Sequence, residues 1–285
     1  MTTVTAKKDE RRLAPIIGKV LLYIVLLFFA VIALLPFVWM LSSSLKLDKD
    51  VFRYPIEWIP SNPHWENYSV IWERVPLLTY FKNTGIVSVA VTFMQILTSS
   101  FAAYAFAKMR FKGRDFLFLC YIGTIAVPWQ VYMLPQFIMM RSMGLYDTLW
   151  ALIVLQSFSA FGVFLMRQFY LGIPNELSEA ARIDGLNEYG IWARIVLPLA
   201  KPAIATLLIF TFVNTWNDYM GPLIYLTTDS VKTVQIGLKR FIQQYSSDYH
   251  LIMAASLCSL VPVAVVFLAL QKYFIEGIAT TGLKG

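Results

Sequence analysis

Apolar residues are gathered into six long runs: Val20 to Leu41, Asn83 to Ala107, Phe116 to Met140, Thr148 to Met166, Pro202 to Thr228 and Leu251 to Gln271. Each is close to or beyond the roughly 20 helical residues that cross a bilayer. Asp218, in the fifth run, is the one charged residue in any of them. An open sheet cannot satisfy its backbone in lipid, so the pattern predicts an all-α, polytopic membrane protein with six transmembrane helices. The expected boundaries are a tail over 1–19, a first transmembrane helix over 20–41, a loop over 42–82, a five-helix core over 83–274 and a tail over 275–285.

The first run follows basic residues, and Ala30 and Ala33 have the small-residue spacing of a cleavage site, as in a secretory signal. It continues through Leu34 to Leu41 with the bulky Pro36, Phe37 and Trp39, so it is expected to remain as a membrane anchor.

A polar insert at 174–201 separates the fourth and fifth runs, and from Glu176 to Pro202 it reads ELSEAARIDGLNEYGIWARIVLPLAKP. Asn175 is expected to cap a first short helix, with Glu176 and Glu179 near its positive end. Ala180 and Ala181 leave a bare face that a partner surface can approach, and Gly185 provides a stop. Asn187 is expected to start a second helix that Pro198 ends.

Charge sets the orientation. Lys7, Lys8, Arg11, Arg12 and Lys19 precede the first run, and Lys108, Arg110, Lys112 and Arg114 crowd the turn after the second. Both segments are expected inside. With six spans, both termini and the insert are then cytoplasmic, and the loops at 42–82 and 229–250 are external. The net charge of +7 reports this topology and needs no nucleic acid to explain it. A composition of 58% hydrophobic and 14% charged residues lies outside the range of soluble domains.

Catalytic chemistry is sparse. Cys120 and Cys258 fall in apolar runs and read as small buried residues, and His64 and His250 fall in separate loops and read as solvated. No metal site and no cofactor are expected. The chain has no G-x-x-x-x-G-K-[ST], so any ATPase must be a separate subunit. Pro128, Pro135 and Pro262 predict bends, used either for packing or for gating. Trp39, Trp129 and Trp150 sit near run ends as interfacial anchors.

Asp218 belongs to the segment Asn214-Thr215-Trp216-Asn217-Asp218-Tyr219. Counted from Pro202, it lies about 24 Å along a helix at about 1.5 Å per residue. A carboxylate at that depth is costly unless it faces protein or water. Asn214, Trp216, Asn217, Asp218 and Tyr219 are therefore candidates for a substrate pathway, with a helix-packing cluster as the other reading. The loop at 229–250 is longer than adjacent helices need. It carries Lys239, Gln243, Gln244 and Tyr245 on a polar, aromatic-dotted stretch, with a solvated linker as the plain reading.

Glu179, Ala180, Ala181 and Gly185, followed at fixed spacing by Ile195, Leu197 and Pro198, resemble the EAA loop of ABC-importer permeases. EAARIDG with RIVLPLAKPAIA is similar to the carbohydrate-uptake branch, specifically the maltose-type second permease, although Leu186 stands where that branch often has Ala. The segment Trp216-Asn217-Asp218-Tyr219 resembles the same branch.

The resemblance implies a type I ABC importer permease fold. Its implied partners are a homologous permease in a heterodimer, two ATP-binding cassette ATPase subunits, an extracytoplasmic solute-binding protein and a sugar substrate. It also implies residence in a bacterial or archaeal cytoplasmic membrane. It assigns ATPase coupling to Glu179, Ala180, Ala181, Arg182, Asp184 and Gly185, and binding-protein contact to the external loop. The tail from Glu276 to Gly285, which shows no helix signal of its own, would by resemblance reach between the ATPases. An ABC permease for a peptide or inorganic ion, a secondary transporter and a membrane enzyme are the alternatives. The last two would need coupling-ion or catalytic groups within the spans, where Asp218 stands alone.

Overall fold

The computed structural model describes residues 3–242 and 248–282, with side chains from residue 18 to 273. Every regular element among the described residues is a helix. In chain order the main ones are α1 (Thr3–Ser44), α2 (Leu77–Lys108), α3 (Arg114–Gly123), α4 (Trp129–Ser142), α5 (Leu149–Gln156), α6 (Ala160–Leu171), α7 (Asn175–Ile183), α8 (Glu188–Ile191), α9 (Lys201–Trp216), α10 (Met220–Tyr225), α11 (Val234–Lys239) and α12 (Tyr249–Gly282).

Gly18–Ser44 of α1, all of α2, and Tyr249–Tyr273 of α12 are each long and apolar enough to cross a membrane. Three bent pairs bring the number to six if each is counted as one span: Arg114–Ala126 with Trp129–Ser142 at 97°, Leu149–Gln156 with Ala160–Leu171 at 41°, and Glu188–Leu199 with Lys201–Trp216 at 80°, the Glu188–Leu199 arm of the last belonging to the polar insert.

Several apolar runs are thus not single helices. The third breaks at Val127, whose ψ of 114° is the extended conformation that a following proline imposes. The fifth is helical to Trp216, opens over 217–219 and resumes as α10. The last helix runs on to Gly282 although the residues after 275 signal no helix, because extending an existing helix costs far less than starting one.

The chain divides into two compact units, Met1–Ile71 with Phe241–Leu257 and Trp72–Arg240 with Cys258–Gly285. In the first, the segment after α1 is folded rather than slack. Asn67 Nδ2 donates to the carbonyls of Ser44 at 2.8 Å and Lys46 at 2.9 Å. Ser44 Oγ and Tyr68 OH are 2.8 Å apart, and the Lys46 ammonium lies 5.0 Å from the Trp39 ring centre. His250 is not a solvated loop residue: it is the second residue of α12, largely covered, with Nδ1 3.5 Å from Asp48. The most apolar window of α1 is 0% buried, and the described residues buried in this helix are at its end, Ser42, Ser43 and Ser44.

In the second unit α2 is the central helix, packed against α5, α6, α9 and α11. One core gathers Ala103, Tyr104, Val163, Met166, Tyr170, Ile191 and Leu207, and another Val87, Val91, Met140, Leu152 and Tyr225. Ser99, Ser100 and Ala103 form a small-residue stripe on α2 that lets α6 approach closely. The approach is tightest at Gly162, where an added Cβ would lie 2.4 Å from Ser99 Oγ and 3.2 Å from Leu207 Cδ1. Cys120 is exposed and Cys258 half-buried, so neither is the buried small residue that its apolar run predicts.

Gly162→Leu is expected to force α6 off α2 and cost about 1–3 kcal/mol, the usual range for overpacking. The measurement is thermal unfolding of the detergent-solubilised protein, with Gly85→Leu as control because nothing lies within 4 Å of a Cβ there. Equal stability of both variants with the parent would show that the α2–α6 approach is not tight.

Candidate functional site

The polar insert folds as α7, a turn, and a second helical segment. Gly185 takes φ +86°, which glycine adopts without strain. The N–H groups of Gly185 and Leu186 close back on the carbonyls of Arg182 and Ala181, each at 3.0 Å. Asn187 caps α8 through Oδ1, which accepts the Gly190 N–H at 2.8 Å.

Asn175 does not cap α7. It is the first helical residue, and its Oδ1 accepts from the Lys108 ammonium at 2.9 Å. Pro198 does not end the second segment either. The helix passes through it to Leu199 and turns at Ala200, and the stretch before it, Trp192–Val196, is a π turn. Proline has no N–H to return to the preceding turn.

The exposed face of this insert carries Leu177, Glu179, Ala180, Ile183, Asp184 and Tyr189, with Ile183 87% exposed. Ala181 is not on that face: it is 4% exposed and packs into the chain's own core beside Ile191. The bare surface is therefore Ala180 and Gly185. Arg182 makes a two-pronged ion pair with Glu188, Nε to Oε1 at 2.8 Å and Nη2 to Oε2 at 3.2 Å. Hydrogen bonds from Arg182 and then from Tyr104 hold the Glu188 carboxyl below the usual range. Protonation would break the pair, so its contribution is present above the ordinary carboxylate pKa and is lost as pH falls through the lowered value.

A cavity of about 490 Å³ lies where two helices are interrupted, α5 to α6 over 157–159 and α9 to α10 over 217–219. Its polar lining includes Gln95, Gln136, Gln156, Thr211, Asn214, Thr215 and Asp218, and its aromatic lining Trp129, Tyr132, Phe158, Phe161, Phe210 and Tyr225. Among the described residues, no lining side chain is cationic.

The breaks are held by side chains. Gln95 Nε2 donates to the Gln156 carbonyl at 2.7 Å and Thr98 Oγ1 to the Ser157 carbonyl at 2.8 Å. Gln156 Nε2 in turn donates to Asp218 Oδ2 at 2.8 Å, while Asp218 Oδ1 accepts the Gly221 N–H at 3.1 Å and so starts α10. Thr211 Oγ1 donates to Gln95 Oε1 at 2.9 Å. At the other end of α10, Asp147 sits in the left-handed region at φ 59° and donates its N–H to the Tyr225 carbonyl at 2.9 Å. Its carboxylate accepts the N–H groups of Thr227 at 2.7 Å and Thr228 at 2.9 Å, and the Thr228 hydroxyl. The Thr228 hydroxyl and these N–H groups hold the Asp147 carboxyl below its ordinary value.

Of the pathway candidates, Asn214 and Asp218 line the cavity. Trp216 does not: its ring is 4% exposed between Phe81 and Phe212, and its Nε1 donates to the Ser259 carbonyl at 3.0 Å. Asn217 turns away, bonded to the Val213 carbonyl and accepting from Gln235 Nε2 at 3.2 Å. Tyr219 lies 5.6 Å from the Lys239 ammonium, measured to its ring centre. Trp129, expected at the membrane interface, lines the cavity, its Nε1 donating to Gln136 Oε1 at 3.0 Å.

Sequence reading missed Gln95, Gln136 and Gln156. The rule that singled out Asp218, a polar group inside an apolar run, applies to these amides as well. Of the external candidates Gln243, Gln244 and Tyr245 lie outside the described residues. The preceding part of that loop is anchored, with Asn83 Nδ2 donating to the carbonyls of Ser230 and Lys232, each at 2.9 Å. Asp229 pairs with Lys232 at 2.7 Å and with Arg240, and these two cations lower its carboxyl pKa.

Residues 95–280 match the family described as binding-protein-dependent transport system inner membrane component. The chain is 35% identical over 279 residues to the arabinooligosaccharides transport system permease protein AraQ of Halalkalibacterium halodurans, covering 97% of this chain and 100% of that protein. It is 35% identical over 255 residues to the melibiose/raffinose/stachyose import permease protein MelC of Bacillus subtilis, covering 88% and 91%. A chain in the crystal structure of a bacterial ABC transporter involved in the import of the acidic polysaccharide alginate superposes with a TM-score of 0.77 at 26% identity, covering 93% of this chain and 98% of that one. With the family match spanning most of the sequence and AraQ aligned across nearly all of it, the chain belongs to the inner-membrane permease components of binding-protein-dependent transport systems.

Proposed function

We propose that this chain is one of two homologous permease subunits in an ATP-driven importer of neutral oligosaccharides. The observation that carries the reading is a cavity lining of amide, hydroxyl and aromatic side chains with one carboxylate, Asp218, which is itself bonded to Gln156 and to the Gly221 N–H. Sugar hydroxyls need donors and acceptors, and sugar C–H faces lie on rings such as Trp129, Tyr132 and Phe158. Its volume of about 490 Å³ falls within the usual range for small-molecule sites. The names of AraQ and MelC support an oligosaccharide substrate.

The exposed face around Ala180 and Gly185 receives an ATPase subunit, with Glu179, Arg182 and Asp184 at its edges. A second ATPase binds the partner permease, and ATP hydrolysis takes place on those subunits. A solute-binding protein docks on the opposite side, at Lys239 and the residues after it; the family's description as binding-protein-dependent supports such a partner. Both termini and the 174–201 loop are cytoplasmic.

Membership of the family removes the secondary-transporter and membrane-enzyme alternatives and leaves the chemistry of the solute to be tested. Proteoliposomes containing the assembled complex, its binding protein and internal or external ATP are expected to move labelled neutral oligosaccharides. Movement is expected to survive collapse of ion gradients and to stop on ATP depletion. Transport of peptides with none of sugars would overturn the substrate reading.

Three substitutions probe the parts. Asp218→Leu removes the acceptor for Gln156 Nε2 and for the Gly221 N–H, at about 1–3 kcal/mol for each unpaired group, so sugar uptake is expected to fall at least about tenfold. Asp218→Asn keeps an acceptor, and Gln156 can reverse its amide to match, so uptake is expected to change by less than about threefold. Equal, large losses of membrane abundance in both would assign Asp218 to the fold alone.

Gly185→Arg introduces a bulky charge where φ +86° already disfavours any side chain. It is expected to leave the permease in the membrane while abolishing co-purification of the ATPase. Normal co-purification would remove the docking assignment.

Orientation is checked by labelling. With Cys120 and Cys258 replaced by serine, Ser61→Cys is expected to react with an impermeant thiol reagent on intact cells, and Asn187→Cys only after permeabilisation. The reverse pattern would invert the topology.

A further inference from the structure

Glu188 does more than pair with Arg182. Its Oε2 also accepts the hydroxyl of Tyr104 at 2.6 Å, and Tyr104 is a residue of α2 with 4% exposure. One carboxylate therefore ties together α7, α8 and α2. One turn away on both elements, Phe101 of α2 stacks on Trp192, with ring centres 4.0 Å apart and planes 20° apart. Residues 101 and 104 share a face of α2, and 188 and 192 share a face of the returning segment, as spacings of three and four residues require. The two contacts are adjacent rungs between the insert and α2.

The covalent route out of the insert is built differently. Beyond Trp192 the chain passes through the π turn Trp192–Val196 and then an 80° bend into α9. A widened turn and a sharp corner transmit displacement poorly, whereas a straight helix with two lateral contacts transmits it well. On α2, Gln95 lies nine residues before Tyr104, about 14 Å at about 1.5 Å per residue. Gln95 is the side chain that holds the Gln156 carbonyl at the cavity.

We propose that Tyr104, Glu188, Phe101 and Trp192 form a latch that delivers movement of the 174–201 insert sideways into α2, and through Gln95 to the cavity, rather than along the chain into α9. Tyr104 and Phe101 are positioning residues: neither lines the cavity, Tyr104 meets the insert at Glu188, and Phe101 meets it at Trp192 and at the edge of the Tyr189 ring, ring centres 6.3 Å apart. The proposal rests on the reading of the insert as the ATPase-docking element.

The test uses the assembled complex in proteoliposomes, with Tyr104→Phe and Phe101→Leu made singly and together. Each single variant is expected to retain ATPase co-purification and basal ATP hydrolysis, and to lower sugar transported per ATP hydrolysed at least about fivefold, the lower end of ordinary site-to-site coupling. The double variant is expected to lose less than the product of the two single losses, because both cut one connection. An unchanged transport-to-hydrolysis ratio in both singles overturns the latch. Loss of co-purification in them also overturns it, since the residues would then serve docking. If Tyr104→Phe fails to accumulate, Phe101→Leu decides alone, because Phe101 is 37% exposed and its removal leaves the Glu188 bonds intact. Gly185→Arg in parallel separates the two readings: retained co-purification there removes the docking premise, and leaves the ratio measured in the Phe101 and Tyr104 variants to judge the latch.

Discussion

A broken helix in a lipid environment leaves backbone carbonyls that must find donors within the protein. Gln95 and Thr98 of α2 supply them, donating to Gln156 and Ser157 at the end of α5. Without these two side chains the interruption over 157–159 would expose unpaired carbonyls, each costing several kcal/mol in hydrocarbon. With them, α5 can end where it does, and the Gln156 side chain is freed to meet Asp218 across the cavity. Asp218 then serves as the acceptor that starts α10 after the second interruption. The cavity exists because two breaks face one another and one intact helix stabilises the first.

That helix, α2, has a sequence suited to the task. Its small residues, Ser99, Ser100 and Ala103, bring α6 close enough that Gly162 has no room for a side chain. Gln95 and Thr98 reach the break after α5, and Asn83 and Thr84 near its start bond to the segment leading into α11. At its other end Lys108 donates to the Ile173 carbonyl at 2.6 Å and to Asn175, fixing the entry to the insert. One helix is thus in register with the segment leading into α11, the cavity and the insert together.

The insert combines local rules with long-range ones. Gly185 and Asn187 act through their own backbone neighbours, a left-handed stop and a side-chain cap, and both follow from residue type. Ala181 and Asn175 are decided by what lies beneath them: Ala181 is covered by the core around Ile191, and Asn175 is claimed by Lys108, a residue 67 positions away. The exposed face left over, with Ala180 and a projecting Ile183, is narrower than the Ala-Ala pair alone implies.

Length and polarity of the apolar runs determined the all-helical class, the six spans and the polar insert between the fourth and fifth, because burial in lipid is a property of composition over about 20 residues. Asp218 was legible for the same reason, as a charge inside such a run. The continuity of each span was not legible. Val127 with Pro128 marks one break by a local rule, and Pro222, which cannot donate to the Asp218 carbonyl four residues before it, marks the one over 217–219; the interruption over 157–159 carries no comparable breaker and depends on donors from α2. Which polar residues share a cavity was likewise decided by tertiary structure. Trp216, Asn217 and Asp218 are consecutive, yet helix geometry and the break turn only Asp218 inward, while Gln95 and Gln156, 61 positions apart, meet because α2 packs on α5.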